Sequence, residues 1–209
     1  AVVHKTPDAI IGSAFGSAGE RCMALSVAVC VGKKTAENLK TKLLEETSKL
    51  NVGPYTDEKS DFGPLNNKAH YEKVLGYIDA GEKEGAKLLS DGRNMKLQGY
   101  ENGYFVGPTI FENVKPDMKI YKEEIFGPVL SMITTDTYED ALKLVNDHEL
   151  GNGAAVFTKS GNIAKHFTEN AKSGMIGVNV PIPVPVAYHS FGGWTRSLFG
   201  DHSMHGPEG

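Results

Sequence analysis

The chain has 209 residues, with 22 basic and 26 acidic side chains and a net charge of −4. That balance, with no long basic run, argues against a nucleic-acid binder. Twenty-four glycines and ten prolines are too few for a collagen-like or low-complexity chain. Hydrophobic residues make up 40% of the sequence, enough to fill a sizeable core. The longest apolar stretch, 23–31, falls well short of the roughly 20 residues that cross a bilayer, so no membrane partner is expected. Two cysteines, Cys22 and Cys30, are no disulfide framework and suit a reducing compartment.

Taken in chain order, 9–17 reads as a short helix broken by glycine, and 25–31 as a buried, β-branched strand. Residues 33–50 place Ala36, Leu39, Leu43 and Leu44 at the 3.6-residue spacing of an amphipathic helix, and 68–84 repeats it through Tyr71, Val74, Leu75 and Ile78. Short apolar segments follow at 86–89, 105–110 and 128–133. Thr137 is placed to cap a helix over 138–146. Then come a strand at 154–157, a helix at 161–171 and a strand at 175–180. Alternating strands and helices predict an α/β domain: a mostly parallel sheet with helices on both faces.

Four hydrophobic-Gly-Pro triplets, at 52–54, 62–64, 106–108 and 126–128, read as turn punctuation. Residues 181–185, alternating Pro with Ile and Val, predict an extended segment that is no central strand. The chain opens Ala-Val-Val-His, neither an initiator methionine nor a signal segment, and ends Gly-Pro-Glu-Gly with no closing element. It reads as a piece of a longer or processed protein.

Several sharp motifs are missing: G-x-G-x-x-G, the Walker loop, H-E-x-x-H and C-x-x-C. His202 and His205 have no third ligand nearby in sequence, so no metal site is expected. The informative stretch is Phe15-Gly16-Ser17-Ala18-Gly19-Glu20-Arg21-Cys22-Met23-Ala24. A helix ends in glycine, a tight loop follows, and a cysteine stands just before a buried strand. Such a cysteine can face a cleft, and adjacent positive charge at Arg21 would favour its thiolate. Glycine there also lets backbone amides approach a developing oxyanion. The competing reading is a small buried thiol, which suits Cys30 inside the strand.

The stretch Phe15–Ala24, then Tyr121-Lys122-Glu123-Glu124-Ile125-Phe126-Gly127-Pro128-Val129, Gly177-Val178-Asn179 and Phe191-Gly192-Gly193-Trp194 together resemble the aldehyde dehydrogenase superfamily in order and spacing. The Gly-Glu-Arg-Cys-Met-Ala sequence, with 100–110 and 180–185, is similar to its CoA-acylating branch, which handles methylmalonate- and malonate-type semialdehydes. The resemblance implies that Cys22 is the nucleophile, forming a thioester as an aldehyde is oxidised by NAD. It implies coenzyme A as the acyl acceptor; in hydrolytic relatives water takes that role. It places Glu124 on the nicotinamide-side ribose of NAD and Phe126 beside it, a position where a carboxylate can accept from both ribose hydroxyls. The competing reading of Glu124 is a surface charge. Arg21 either pairs with a substrate carboxylate, to which a guanidinium fork is matched, or serves the thiolate or the structure.

By the same resemblance, residues 1–209 form the catalytic domain, while the dinucleotide-binding domain, the oxyanion asparagine and a final oligomerisation strand lie outside the chain. The implied whole is a homo-oligomer, dimer or tetramer, in the cytoplasm or, in a eukaryote, the mitochondrial matrix. Two alternatives stand beside it. One is a non-catalytic α/β binding module with Cys22 idle. The other is a cysteine hydrolase, which would need His148, His166 or His189 as partner to the thiol.

Overall fold

The computed structural model describes residues 6–209. The opening residues 1–4 singled out above lie outside the described residues.

Helix α1, Thr6–Phe15, buries Ile10, Ile11, Ala14 and Phe15. It stops earlier than its apolar pattern predicts because Ser17 and Ala18 turn left-handed, at φ of 54° and 55°. Strand β1, Val27–Val31, begins two residues later than expected. Residues 21–24 form a turn closed by Ala24 N–H donating to the Arg21 carbonyl, and Leu25 N–H is held by the Ser13 carbonyl of α1. Helix α2, Lys33–Thr47, buries Leu39 and Leu43. Helix α3, Lys68–Lys83, buries Val74, Tyr77 and Ile78, and Asn67 caps it by accepting from His70 N–H.

Strands β2, Lys87–Ser90, and β3, Thr109–Glu112, come next. The apolar segment 105–110 supplies only the start of β3. Pro108 has no N–H to give a ladder, and the Gly107 N–H is already bonded to the Gly92 carbonyl. A short helix not foreseen in the sequence, α4, Lys119–Lys122, precedes strand β4, Val129–Thr135. Helix α5, Tyr138–Asp147, starts where predicted, with the Thr137 side chain accepting from Asp140 N–H. After it come β5, Leu150–Gly151, and β6, Gly153–Val156. Helix α6, Gly161–Asn170, is capped by Ser160, and β7, Met175–Val178, and β8, Trp194–Thr195, complete the order.

The main sheet runs β1-β4-β3-β2. β1, β4 and β3 are mutually parallel, with Val27 opposite Ser131 and Thr109 opposite Val129, while β2 is antiparallel at one edge. Residues 129–133 are buried without alternation, so β4 is covered on both faces, as parallel strands in α/β proteins are. Helix α3 packs beside the neighbouring strand β3 and helix α4, its Gly81 lying against the side chains of Phe111 and Ile120. The α/β class and the mostly parallel sheet agree with the sequence reading.

The sheet is not continuous. β6 and β7 form a separate parallel pair, with Gly153 opposite Met175, and β5 and β8 a separate antiparallel one. Periodicity marks which segments are strands but not which edges meet. The proline-containing stretch 181–185 carries no strand, as expected. Among the described residues no helix is long and apolar enough to cross a membrane.

Candidate active site

The site grows from the loop between α1 and β1. Three consecutive residues, Ser17, Ala18 and Gly19, have positive φ, which reverses the chain within one turn. Gly19 is obligatory there: a Cβ on it would stand 2.1 Å from the Gly127 carbonyl oxygen. The following turn presents Cys22 to solvent, while Cys30 on β1 is buried. Burial pushes the Cys30 thiol up to about 11, so it stays protonated and inert. Two contacts from the β5–β6 connection brace the Cys22 turn. Asn152 Nδ2 donates to the Cys22 carbonyl at 2.9 Å, and Met23 packs over Gly153, where a Cβ would lie 2.3 Å from its methyl carbon.

Arg21 is exposed, and its Nε donates to Ser17 Oγ at 3.0 Å. The guanidinium lies flat over Gly16. Among the described residues it makes no ion pair, so its charge is available to an incoming anion.

The second half of the site is the loop 123–128, entering β4. Its two glutamates part company. Tyr77 donates its hydroxyl to Glu123 Oε2 at 2.6 Å. Burial, then that bond, pushes the Tyr77 hydroxyl up to about 12, keeping it a donor. Glu124 is exposed, and its side chain has no partner among the described residues; only its carbonyl is met, by Lys73 Nζ at 3.4 Å. Phe126 has φ of 61° and is 36% exposed, its ring edge-on to His70 at 6.2 Å. Gly127 sits under Val74 of α3, where a Cβ would lie 2.7 Å from a methyl group. Two motifs a hundred residues apart thus share one seam, Gly19 against Gly127.

The sequence reading missed the histidine at that seam. His70, in the first turn of α3, reaches the Phe126 carbonyl at 2.6 Å and Glu20 Oε1 at 3.3 Å, both through Nε2. Glu20 Oε1 also accepts from the Asn66 N–H. Nothing in the local pattern of residues 68–84 marks His70, which falls among ordinary helix positions.

The three histidines considered as partners for a hydrolase do other things. His148 accepts Leu150 N–H at Nδ1 and donates from Nε2 to the Tyr121 carbonyl, each at 3.0 Å. His166 Nδ1 meets the Tyr138 hydroxyl, and the His189 ring lies against Tyr188. None meets Cys22 among the described residues. Of the tail histidines, His202 pairs with Glu208 and His205 stacks on Phe191.

An exposed thiol on a braced turn, a cation beside it unpaired among the described residues, and an exposed carboxylate and aromatic ring across a backbone seam make up the candidate site, a setting in which a cysteine can act as nucleophile. The chain belongs to the aldehyde dehydrogenase family, whose model matches residues 1–208. It is 53% identical to a malonate-semialdehyde dehydrogenase of Pseudomonas aeruginosa over 96% of this chain and 40% of that protein. It is 49% identical to a mitochondrial acylating methylmalonate-semialdehyde/malonate-semialdehyde dehydrogenase of Bos taurus, over 99% of this chain and 38% of the other. A Sinorhizobium meliloti 1021 protein solved in complex with NAD superposes with a TM-score of 0.95 at 55% identity, over 97% of this chain and 41% of that one. The chain thus spans about two fifths of the length of the relatives it matches.

Proposed function

We propose that residues 1–209 carry the thiol half of an NAD-dependent, CoA-acylating dehydrogenase for short semialdehydes of the malonate and methylmalonate type. The observation that carries this reading is the Gly19–Gly127 seam. It sets the exposed Cys22 loop beside the loop bearing Glu124 and Phe126. The names of the Pseudomonas aeruginosa and Bos taurus relatives support the substrate class, and the second supports acylation.

In this reading the Cys22 thiolate adds to the aldehyde carbon, forming a C–S bond and an oxyanion. Arg21 receives the substrate's distal carboxylate, since its guanidinium is exposed and unpaired by any described carboxylate. NAD, when bound, accepts the hydride that leaves the same carbon. What remains on Cys22 is a thioester. The thiol of coenzyme A then takes the acyl group, and Cys22 leaves as thiolate while the CoA thiol proton passes to solvent. The described residues fit the ribose side of the cofactor: Glu124 offers an uncommitted carboxylate and Phe126 an exposed ring, turned outward by its left-handed backbone. The phosphates would be held by residues outside this chain, which has no glycine-rich strand-to-helix fingerprint.

Two free cysteines suit the cytoplasm or the mitochondrial matrix. Exposed Val184, Val186, Tyr188, Trp194, Phe199 and Met204 favour a homo-oligomer, a dimer or tetramer, in which some of them are covered. The deciding experiment is stopped-flow formation of NADH by the full-length enzyme with malonate semialdehyde, with and without CoA. A burst without CoA and turnover only with it is the expected result. Turnover that ignores CoA would assign a hydrolytic enzyme instead.

A further inference from the structure

We propose that His70 is a positioning residue, locking the loop that carries Cys22 to the loop that carries Glu124 and Phe126. The inference rests on the functional reading above.

A carbonyl oxygen can only accept, so the 2.6 Å contact to Phe126 requires a hydrogen on His70 Nε2. The same nitrogen stands 3.3 Å from Glu20 Oε1, two residues before Cys22. One ring nitrogen therefore ties both halves of the seam. The pair is largely shielded from water: the side chains of His70 and Glu20 are 16% and 18% exposed. Glu20 is fixed further by the Asn66 N–H, and His70 by its place in the first turn of α3, where its own N–H is held by the Asn67 cap.

The tie acts where the backbone most needs it. Phe126 holds φ at 61°, unusual for a bulky side chain and sustained only by surrounding contacts. On the other side Ser17 and Ala18 are left-handed as well. Without His70 both loops keep their van der Waals seam at Gly19 and Gly127 but lose the Phe126 hydrogen bond and the Glu20 contact that fix their relative orientation. Hydride transfer is sensitive to that orientation, whereas thiol exposure and cofactor affinity are less so.

The test uses the full-length enzyme with malonate semialdehyde and NAD, reading single-turnover NADH formation, NAD affinity by calorimetry, and the rate of Cys22 alkylation by iodoacetamide. His70→Ala should slow single-turnover hydride transfer about 10- to 100-fold, while NAD affinity and Cys22 alkylation move by less than about threefold. His70→Gln keeps an N–H donor toward Phe126 and should recover most of the loss. Glu20→Gln combined with His70→Ala should cost less than the two single losses multiplied, because both act on one tie. A wild-type single-turnover rate in His70→Ala overturns the proposal. So does a loss matched by an equal fall in the folded fraction, or one that His70→Gln fails to relieve. Cys22→Ala is the control: activity surviving there brings down the functional reading itself, whereas inactive Cys22→Ala with unaffected His70→Ala brings down only this inference.

Discussion

Gly19 and Gly127 meet backbone to backbone, with no room for a β-carbon on Gly19 before the Gly127 carbonyl. Gly19 also carries φ of 70°, so two independent constraints exclude any other residue. Gly19→Ala should destabilise the fold by more than about 1 kcal/mol. The measurement is the urea midpoint at unchanged slope. A variant as stable as the parent would mean that the seam is loose.

The two cysteines should separate cleanly in a thiol-labelling experiment. With its thiol pushed up to about 11, Cys30 is ionised to roughly one part in a thousand at pH 8, and burial screens it further. Iodoacetamide at that pH should label Cys22 alone, read by peptide mapping. Cys22→Ala should abolish dehydrogenase turnover in the full-length enzyme and leave NAD affinity largely unchanged.

Glu123 and Glu124 are adjacent yet should behave oppositely. Glu123 is bonded to Tyr77, while Glu124 reaches solvent without a partner among the described residues. Glu124→Gln loses charge and one accepting site and should slow hydride transfer by about tenfold with little change in melting temperature. Glu123→Gln should do the reverse: little effect on hydride transfer, and a modest loss of stability. Equal kinetics for Glu124→Gln and the parent would remove Glu124 from the site.

Glu112 links α2, β2 and β3 through Lys87 at 2.6 Å and Lys40 at 3.1 Å. The Lys87 hydrogen bond, and after it Lys40, hold its carboxyl below the ordinary 4.5. A carboxyl depressed in the folded state stabilises it above the unfolded value and stops doing so as the pH falls through the folded one. Glu112→Gln should therefore lower the melting temperature at pH 7, with the difference closing progressively below about pH 4.5. A gap that persists at the acid end would assign the loss to packing instead of charge.

What the sequence determined by itself was local. Spacing of apolar residues located α2, α3 and α5 to within a few positions, because a helix face repeats every 3.6 residues whatever it packs on. Alternation of strand and helix was enough for the α/β class, and the Cys22 neighbourhood stood out through glycine, charge and a following strand. Sequence order could not reveal that β6 and β7 stand apart from the main sheet, since pairing depends on which edges meet in space. Nor could it separate Glu123 from Glu124, because the difference lies in Tyr77, 46 residues away. His70 was invisible for the same reason: its partners, Glu20 and Phe126, lie in two other loops and come together only when Gly19 lets the backbones touch. Short-range periodicity is written in neighbours along the chain, whereas a site is a set of non-local contacts that only the packed core brings within hydrogen-bond reach.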